Sequence, residues 1–254
     1  MKPAKRNLII CLALCAATVG IGFVQAGYFR AQYNLKFEPS EERYLEMEVI
    51  TMADYYAYGD EYGKDDYYDY TFAESAEELA SRSDCVLRIR VRPELEIMGE
   101  HILASADIVK TLAGSVSESG SIFIYEPIRM LESPAVLVDF PNLKGPLGLN
   151  GAANRLRPGS EYIVALEQID ILKGAFKREH EGRTYMYTDM LCSAFPCGKE
   201  PVYYKYANEK QDDDKYLLYK DLYEADYVGS GAVLTSCRWL YEQMTEHFGS
   251  ENFD

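Results

Sequence analysis

Alternating apolar and charged side chains mark the clearest strand in this chain. Across residues 87–97 the odd-numbered positions are apolar, and every even-numbered position carries Arg or Glu. Because successive side chains of a strand point to opposite sides of the sheet, this pattern predicts a strand with one buried face and one charged face. Pro93 occupies one odd position and cannot donate a backbone hydrogen bond, so it predicts a bulge or an edge.

Weaker alternation predicts five further strands, over residues 101–111, 121–126, 162–169, 184–190 and 201–207. Residues 127–160 contain five prolines and are predicted to form a long irregular insertion. Several short strands joined by such connections indicate a mainly β fold, a small antiparallel barrel or sandwich.

Helical patterns flank these strands. Ser75 and Glu78 have the spacing of a capping box, which predicts a short helix through Ala80. An amphipathic helix over about residues 234–248 is the clearest in the chain, because its apolar side chains recur at helical spacing: Cys237, Leu240, Tyr241, Met244 and Phe248. Leu45, Val49 and Met52 also have helical spacing and predict a short helix over residues 40–53.

An uncharged, mostly apolar run occupies residues 7–29 and follows Lys2, Lys5 and Arg6. At about 1.5 Å per residue, these 23 residues would reach roughly 35 Å as a helix, enough to cross a membrane. The basic flank predicts that the N-terminus stays in the cytoplasm and that the remainder lies outside. Two interpretations stay open: a single-pass anchor, or a signal peptide cut after Ala26, which would release the protein.

Three regions follow from these patterns. Residues 1–29 are the signal peptide or transmembrane anchor, and residues 30–73 form a juxtamembrane stalk with an acidic, tyrosine-rich linker. Residues 74–254 form the folded domain. Within the linker, residues 54–70 hold seven tyrosines and six acids, a composition typical of a solvated segment. Its aspartates lack the ligand spacing of a helix-loop-helix calcium site.

The net charge narrows the classes of partner that the protein is expected to bind. The chain carries 26 Lys and Arg against 41 Asp and Glu, a net charge of −15, which disfavours nucleic acid as a partner.

The four cysteines outside the leader favour disulfides in an exported protein, and we expect Cys192 to pair with Cys197 and Cys85 with Cys237. Four reduced cysteines are the alternative. The spacing of Cys and His does not indicate a metal site.

Four short stretches resemble a known class of domain. They are SDCVLRIRV at 83–91, IVKTLAG at 108–114, GSIFIYE at 120–126 and LRPGSEYIVAL at 156–166. In this order they are similar to extracytoplasmic domains of Gram-positive bacteria whose fold is like an OB barrel and whose functions are mostly unassigned. The resemblance covers about 90 of 254 residues. It implies a small antiparallel OB-like barrel at the cell surface and supplies no catalytic residues.

Arg88, Arg90 and Arg92 are the sharpest binding candidates, because three guanidinium groups on one strand face could dock an anion or a carboxylate. Cross-strand pairing with Asp and Glu is the alternative. Tyrosines on predicted strands could present rings to a peptide or a sugar, or could pack in the core: Tyr185, Tyr187, Tyr203, Tyr204 and Tyr206.

Catalysis has little support in the sequence. The chain has only three histidines, and His180 lies in a charged turn where we expect it to be exposed. No nucleophile with a nearby base is evident. We therefore predict a binding or surface-interaction module outside the membrane, with a protein or cell-envelope partner, no cofactor and no enzymatic activity. The alternatives are a cell-envelope hydrolase using carboxylates and a protease-inhibitor-like module.

Overall fold

The computed structural model describes residues 18, 20–25, 38, 40–51, 73–98, 101–116, 120–130, 147–169, 180–189, 191–205 and 217–249. The strands are β1 Glu48–Thr51, β2 Cys85–Met98, β3 His101–Gly114, β4 Ser121–Met130, β5 Leu147–Leu149, β6 Glu161–Gln168, β7 Thr184–Tyr187, β8 Ala194–Pro196, β9 Tyr203–Lys205, β10 Leu217–Leu218 and β11 Tyr227–Gly229. The helices are α1 Glu42–Leu45, α2 Ala76–Arg82, α3 Tyr219–Leu222 and α4 Gly231–Gly249.

Five of these strands close into a barrel. β2 pairs antiparallel with β3 along its length and with β6 along its first half. β3 pairs with β4, and β6 pairs with β7, again antiparallel. A parallel pairing of β4 with β7, which joins Phe123 to Thr184 and Ile124 to Tyr185, closes the ring. The order around the barrel is therefore β2, β3, β4, β7, β6 and back to β2, and the prediction of a mainly β barrel is confirmed.

β2 is a long strand that pairs with two neighbouring strands, and its side chains alternate between a buried face and an outward face. The alternating aliphatic side chains Leu87, Ile89, Val91, Leu95 and Ile97 are buried, at most 4% exposed, and the charged side chains between them lie on the opposite face. The pairing with β3 shifts between Val91 and Leu95, which places the predicted bulge at Pro93. A bulge bends a strand and increases its twist, and barrel closure requires both.

The predicted helices at both ends of the domain form as expected. Ser75 caps α2, because its hydroxyl oxygen accepts a hydrogen bond from the Glu78 backbone N–H at 3.1 Å. α4 buries Val233, Leu234, Cys237, Leu240 and Met244, the face that the helical spacing indicated. This face packs on the strands β8, β9 and β11.

The segment 40–51 differs from its prediction as a single helix in the stalk. Only α1 is helical, and β1 pairs in parallel with β5 and antiparallel with β10. Tyr44 and Val49 are buried in the main core. Backbone pairing on both edges and burial of these side chains outweigh the local helical pattern. Part of the region assigned to the stalk therefore belongs to the same sheet as the barrel.

The end of the predicted irregular insertion is also an ordered part of the core. After β5 the chain runs through a buried segment, residues 150–157, which we call the strap. Its backbone N–H groups at Ala152 and Ala153 both donate to the Leu191 carbonyl oxygen at 3.0 Å. The Asn154 N–H donates to the Asp226 carbonyl oxygen at 2.9 Å. Backbone hydrogen bonds to distant loops thus allow a segment without regular structure to be buried.

The disulfide differs from both predicted pairings. Cys192 is joined to Cys237, with their α-carbons 5.9 Å apart, while Cys85 and Cys197 are free thiols. Cys237 lies on the buried face of α4, next to the loop that carries Cys192. Cys85 is fixed in the barrel wall, where it pairs with Gly114 on one side and Leu166 on the other. The helix packing thus brings together two cysteines that local spacing did not connect.

Several predicted features lie outside the described residues: most of the leader at 7–29, the tyrosine-rich segment 54–70, residues 131–146 of the insertion, and Tyr206. Residues 20–25 are helical, with Ile21, Phe23 and Val24 largely exposed. Among the residues with assigned structure, no helix is long and apolar enough to span a membrane.

We expect the Cys192–Cys237 bond to stabilise the oxidised protein. The bond closes a loop of 45 residues, so changing both cysteines to Ser should lower the free energy of unfolding by up to about 4 kcal/mol in the chain-entropy model. Denaturant unfolding measures this, with Cys197→Ser as the matched control that should cost less than about 1 kcal/mol. Non-reducing peptide mapping that finds Cys192 linked to Cys197 would contradict the assignment.

Candidate functional site

The outward side of β3 and β4 differs in chemistry from the rest of the barrel surface. Even-numbered residues in the paired stretches 102–106 and 122–128, such as Ile102 and Ile124, are buried. The odd-numbered residues point outward in cross-strand pairs, and we call this surface the β3–β4 outer face: His101 with Arg129, Leu103 with Tyr125, Ser105 with Phe123, and Asp107 with Ser121.

Aromatic rings form the centre of this face. The His101 and Tyr125 rings meet edge to face with their centroids 5.1 Å apart. Phe123 makes a similar contact with His180, at 4.3 Å. Leu103 and Phe123 form a buried cluster of their own, separate from the main core, against which Tyr125 packs. The barrel therefore carries a small apolar cluster on its outside, bordered by the partly exposed Tyr125 ring and the exposed His101 ring.

His180 is fully buried, so the expectation that it lies exposed in a charged turn is wrong. Its Nε2 lies 3.7 Å from the Glu96 carboxylate, and its backbone oxygen accepts a hydrogen bond from the Thr184 hydroxyl at 2.9 Å. The parallel pairing of β4 with β7 brings the turn before β7 over Phe123. Gly182 adopts a left-handed conformation with φ 70°, which a glycine accommodates readily, and so allows this turn.

Arg183 fastens that turn to β4. Its Nε donates to the Ser121 carbonyl oxygen at 2.8 Å, and its guanidinium also contacts the Ser121 hydroxyl. The guanidinium carbon lies 5.6 Å from the centroid of the Phe123 ring, within range of a cation–π interaction. In return, the Phe123 N–H donates to the Arg183 carbonyl oxygen at 2.9 Å. The side of the aromatic cluster nearest β7 is therefore lined by a fixed cation.

The arginines of β2 lie beside this face in cross-strand ion pairs. Arg88 and Arg90 share the Glu161 carboxylate, with N–O distances of 2.7 and 2.5 Å. Arg92 pairs with Asp107 at 2.6 Å. Burial acts to raise the pKa of Glu161, but hydrogen bonds from Arg90 and Arg88 outweigh it and lower that pKa. Arg88, Arg90 and Arg92, which we call the arginine row, are therefore held in cross-strand ion pairs. Such pairing was the alternative to the interpretation of these arginines as a docking site for an anion.

The tyrosines expected on strand surfaces have mixed positions. Tyr185 and Tyr187 point into the barrel and are 2% exposed, so they belong to the core. Tyr203 stacks on Tyr227 with the ring centroids 5.3 Å apart, and Arg238 lies over the Tyr203 ring. Tyr204 is half-buried. Tyr125, on β4, was not among the candidates. Its position opposite Leu103 in the strand register could have indicated its role only once the pairing was known.

A concavity of about 300 Å³ lies between residues 196–200 and the C-terminal half of α4. Cys197, Lys199, Tyr241 and Phe248 are among the side chains that line it. Burial raises the pKa of the Cys197 thiol, so the thiol is protonated at neutral pH. Since the thiolate is the reactive form of cysteine, this arrangement does not favour a nucleophile.

Metal ligands are not gathered in the described ranges, where no group of three or more His, Cys, Asp and Glu side chains could hold an ion. No protein-family model and no curated protein matches this chain.

We expect Glu161 to contribute more to stability than the carboxylate of a single surface ion pair, because it pairs with two arginines. Glu161→Gln should lower the free energy of unfolding by about 1–2 kcal/mol at pH 7, against less than about 1 kcal/mol for the matched control Arg92→Gln. The pKa of Glu161 is lowered in the folded state, so the effect of Glu161→Gln should shrink as the pH falls through the acidic range. Equal losses in the two variants would show that the shared carboxylate is no stronger than an ordinary surface pair.

Proposed function

We propose that this protein is an OB-like binding module that acts outside the cytoplasmic membrane. The strand order and the parallel closing pair support the OB-like assignment, since OB folds are five-stranded Greek-key barrels. Such barrels bind ligands on the face of their second and third strands. In this barrel those strands are β3 and β4, and their outer face carries the aromatic cluster. This coincidence is the observation on which the proposal rests.

The chemistry of the face suits a partner with apolar or planar groups. Tyr125 and His101 offer rings for stacking, and Arg183 offers a cation held beside Phe123. Tyrosine and arginine are enriched among the side chains that dominate binding energy at protein interfaces. We therefore assign the face to a protein or cell-envelope partner.

The basic flank and the apolar run at residues 2–29 support a location outside the membrane, either anchored or released. The exposed apolar side chains of residues 20–25 agree with insertion in a membrane or recognition as a signal.

The position of one buried carboxyl group supports binding over hydrolysis. Among the described residues, the Glu126 carboxyl, whose pKa burial raises to about 8, lies inside the barrel and is 3% exposed. A carboxyl that acts on an envelope polymer must lie within hydrogen-bond reach of its substrate. Its burial keeps Glu126 from reaching such a substrate, which supports the binding interpretation.

We expect partner capture to depend on the aromatic face. The full-length protein, solubilised from its host's envelope, should retain its partner, and Tyr125→Ser combined with His101→Ser should weaken binding about tenfold or more. Val109→Ser is the matched control, because Val109 is an exposed apolar residue farther along β3. The affinity of each variant for the purified partner shows whether the aromatic side chains contribute to binding. Unchanged affinity in the double variant would exclude the β3–β4 outer face as the binding surface.

Location can be tested separately. Fractionation of the host should recover the protein in the membrane or outside the cell, because the leader directs export. N-terminal sequencing then distinguishes a chain beginning at Gly27 from one that keeps its anchor. A soluble cytosolic pool would contradict the proposed export.

A further inference from the structure

A bulge in β4 brings an arginine beside the rings of the β3–β4 outer face. In the strand register, Arg129 of β4 is opposite His101 of β3. Tyr125, four residues earlier on β4, is opposite Leu103, which is only two residues later on β3. The register shift between these two pairs shortens the separation of Arg129 and Tyr125 from the roughly 13 Å of four extended residues to about 7 Å.

Arg129 differs from the arginine row in its partners. Within the described ranges, no carboxylate forms an ion pair with its guanidinium. Its side chain is half-buried, and its Nε is shielded from solvent and has no hydrogen-bond partner there. The neighbouring position in β5 is Gly148, which has no side chain that could pair with Arg129. A carboxylate supplied by a ligand would therefore not have to displace a carboxylate of the protein.

The two rings beside Arg129 determine the shape of ligand that suits it. The rings of His101 and Tyr125 meet at 78° with their centroids 5.1 Å apart, so together they form a corner. His101 is exposed and Tyr125 is partly exposed. A sugar ring can place its apolar C–H side against such an aromatic ring while its polar substituents point along the sheet. The corner therefore suits a single ring that carries a carboxylate.

Two features of the same face argue against a peptide as its ligand. The backbone of β3 is paired on both sides, with β2 and with β4, so it offers no edge for the addition of a strand. Leu103 and Phe123 are only 1% and 9% exposed, so they offer little apolar area to anchor the side chain of a partner. Stacking on rings and contact with a cation are the interactions that remain.

We propose that the β3–β4 outer face binds an acidic sugar of the cell envelope, a ligand assignment that rests on the proposed binding function. The sugar ring lies in the corner formed by Tyr125 and His101, and Arg129 holds its carboxylate. The planar guanidinium fork matches the two oxygens of a carboxylate. The net charge of −15 repels a ligand more strongly as the ligand's own negative charge grows, which favours isolated carboxylates over a run of phosphates.

Calorimetric titration of the full-length protein, in a detergent that contains no sugar, tests this assignment. The probe is a tetrasaccharide of alternating glucuronic acid and N-acetylglucosamine. Its neutral counterpart has the carboxyl groups reduced to alcohols. We expect the wild-type protein to bind the acidic form at least about tenfold more tightly than the neutral form, because reduction removes the charge-assisted contact with Arg129. This comparison changes only the ligand, so it does not depend on the folding of a variant.

A substitution of Arg129 gives the complementary measurement. Arg129→Gln should lower the affinity for the acidic form about tenfold, to that of the neutral form, and should leave the affinity for the neutral form unchanged. Lys110→Gln is the matched control, because it removes an exposed cation farther along β3. It should change either affinity by less than about twofold, since salt screens charges at that distance.

Equal affinity of the wild-type protein for the two forms would overturn the role of Arg129, and failure to bind either form would overturn the acidic sugar as the ligand. Binding of an acidic, tyrosine-containing peptide in place of the tetrasaccharide would overturn it as well. The effect of the double variant at Tyr125 and His101 on the purified partner is a separate measurement. The proposed binding face can therefore stand where the sugar fails.

Discussion

The parallel pairing of β4 with β7 turns an antiparallel sheet into a closed barrel, and the rest of the structure depends on it. The register places Phe123 beside Thr184 and Ile124 beside Tyr185, so the first pair lies on the outer side of the sheet and the second pair faces the interior. Inside, closure isolates the aliphatic side chains of β2, β3 and β4 from water. Outside, it carries the turn with His180 and Arg183 across β4. The apolar core and the aromatic face are thus two consequences of one register.

Burial makes every polar group in the core costly, and the described residues show how that cost is limited. Asp189, which is buried, accepts hydrogen bonds from the backbone N–H groups of Ala73, Leu191 and Cys192, and so ties the start of the domain to the loop that carries the disulfide. Asn154 donates to the carbonyl oxygens of Leu222 and Ala225. Buried polar groups of this kind fix irregular segments in place because leaving them unpaired would cost more. Both oxygens of Glu126 share one backbone donor, the Leu156 N–H, and burial raises the pKa of this carboxyl to about 8.

The elements that could be predicted from the sequence are those whose pattern is long enough to be seen locally. β2 shows apolar and charged side chains in alternation over eleven residues, and Ser75 with Glu78 marks the start of α2. β1, β5, β8, β10 and β11 have two to four residues each, and partners far away in the chain decide whether they form. The sequence of the strap predicts a loop, because the strap is rich in Gly, Ala and Asn. The burial of His180 and the pairing of Cys192 with Cys237 likewise depend on contacts between distant segments.

The arginine row and the β3–β4 outer face are neighbouring surfaces of the barrel, and the energetic cost of binding a ligand would differ between them. An anion docking at Arg90 would compete with Glu161, which is held by two guanidinium groups, so a favourable ion pair would be lost for each one gained. Tyr125 and His101 can add contact area through their rings, which are partly exposed and exposed respectively. Since aromatic side chains with restricted rotamers lose little conformational entropy on binding, such contacts yield more net affinity than a rearranged salt bridge. The physical balance therefore favours the β3–β4 outer face, although the arginine row is the more conspicuous feature of the sequence.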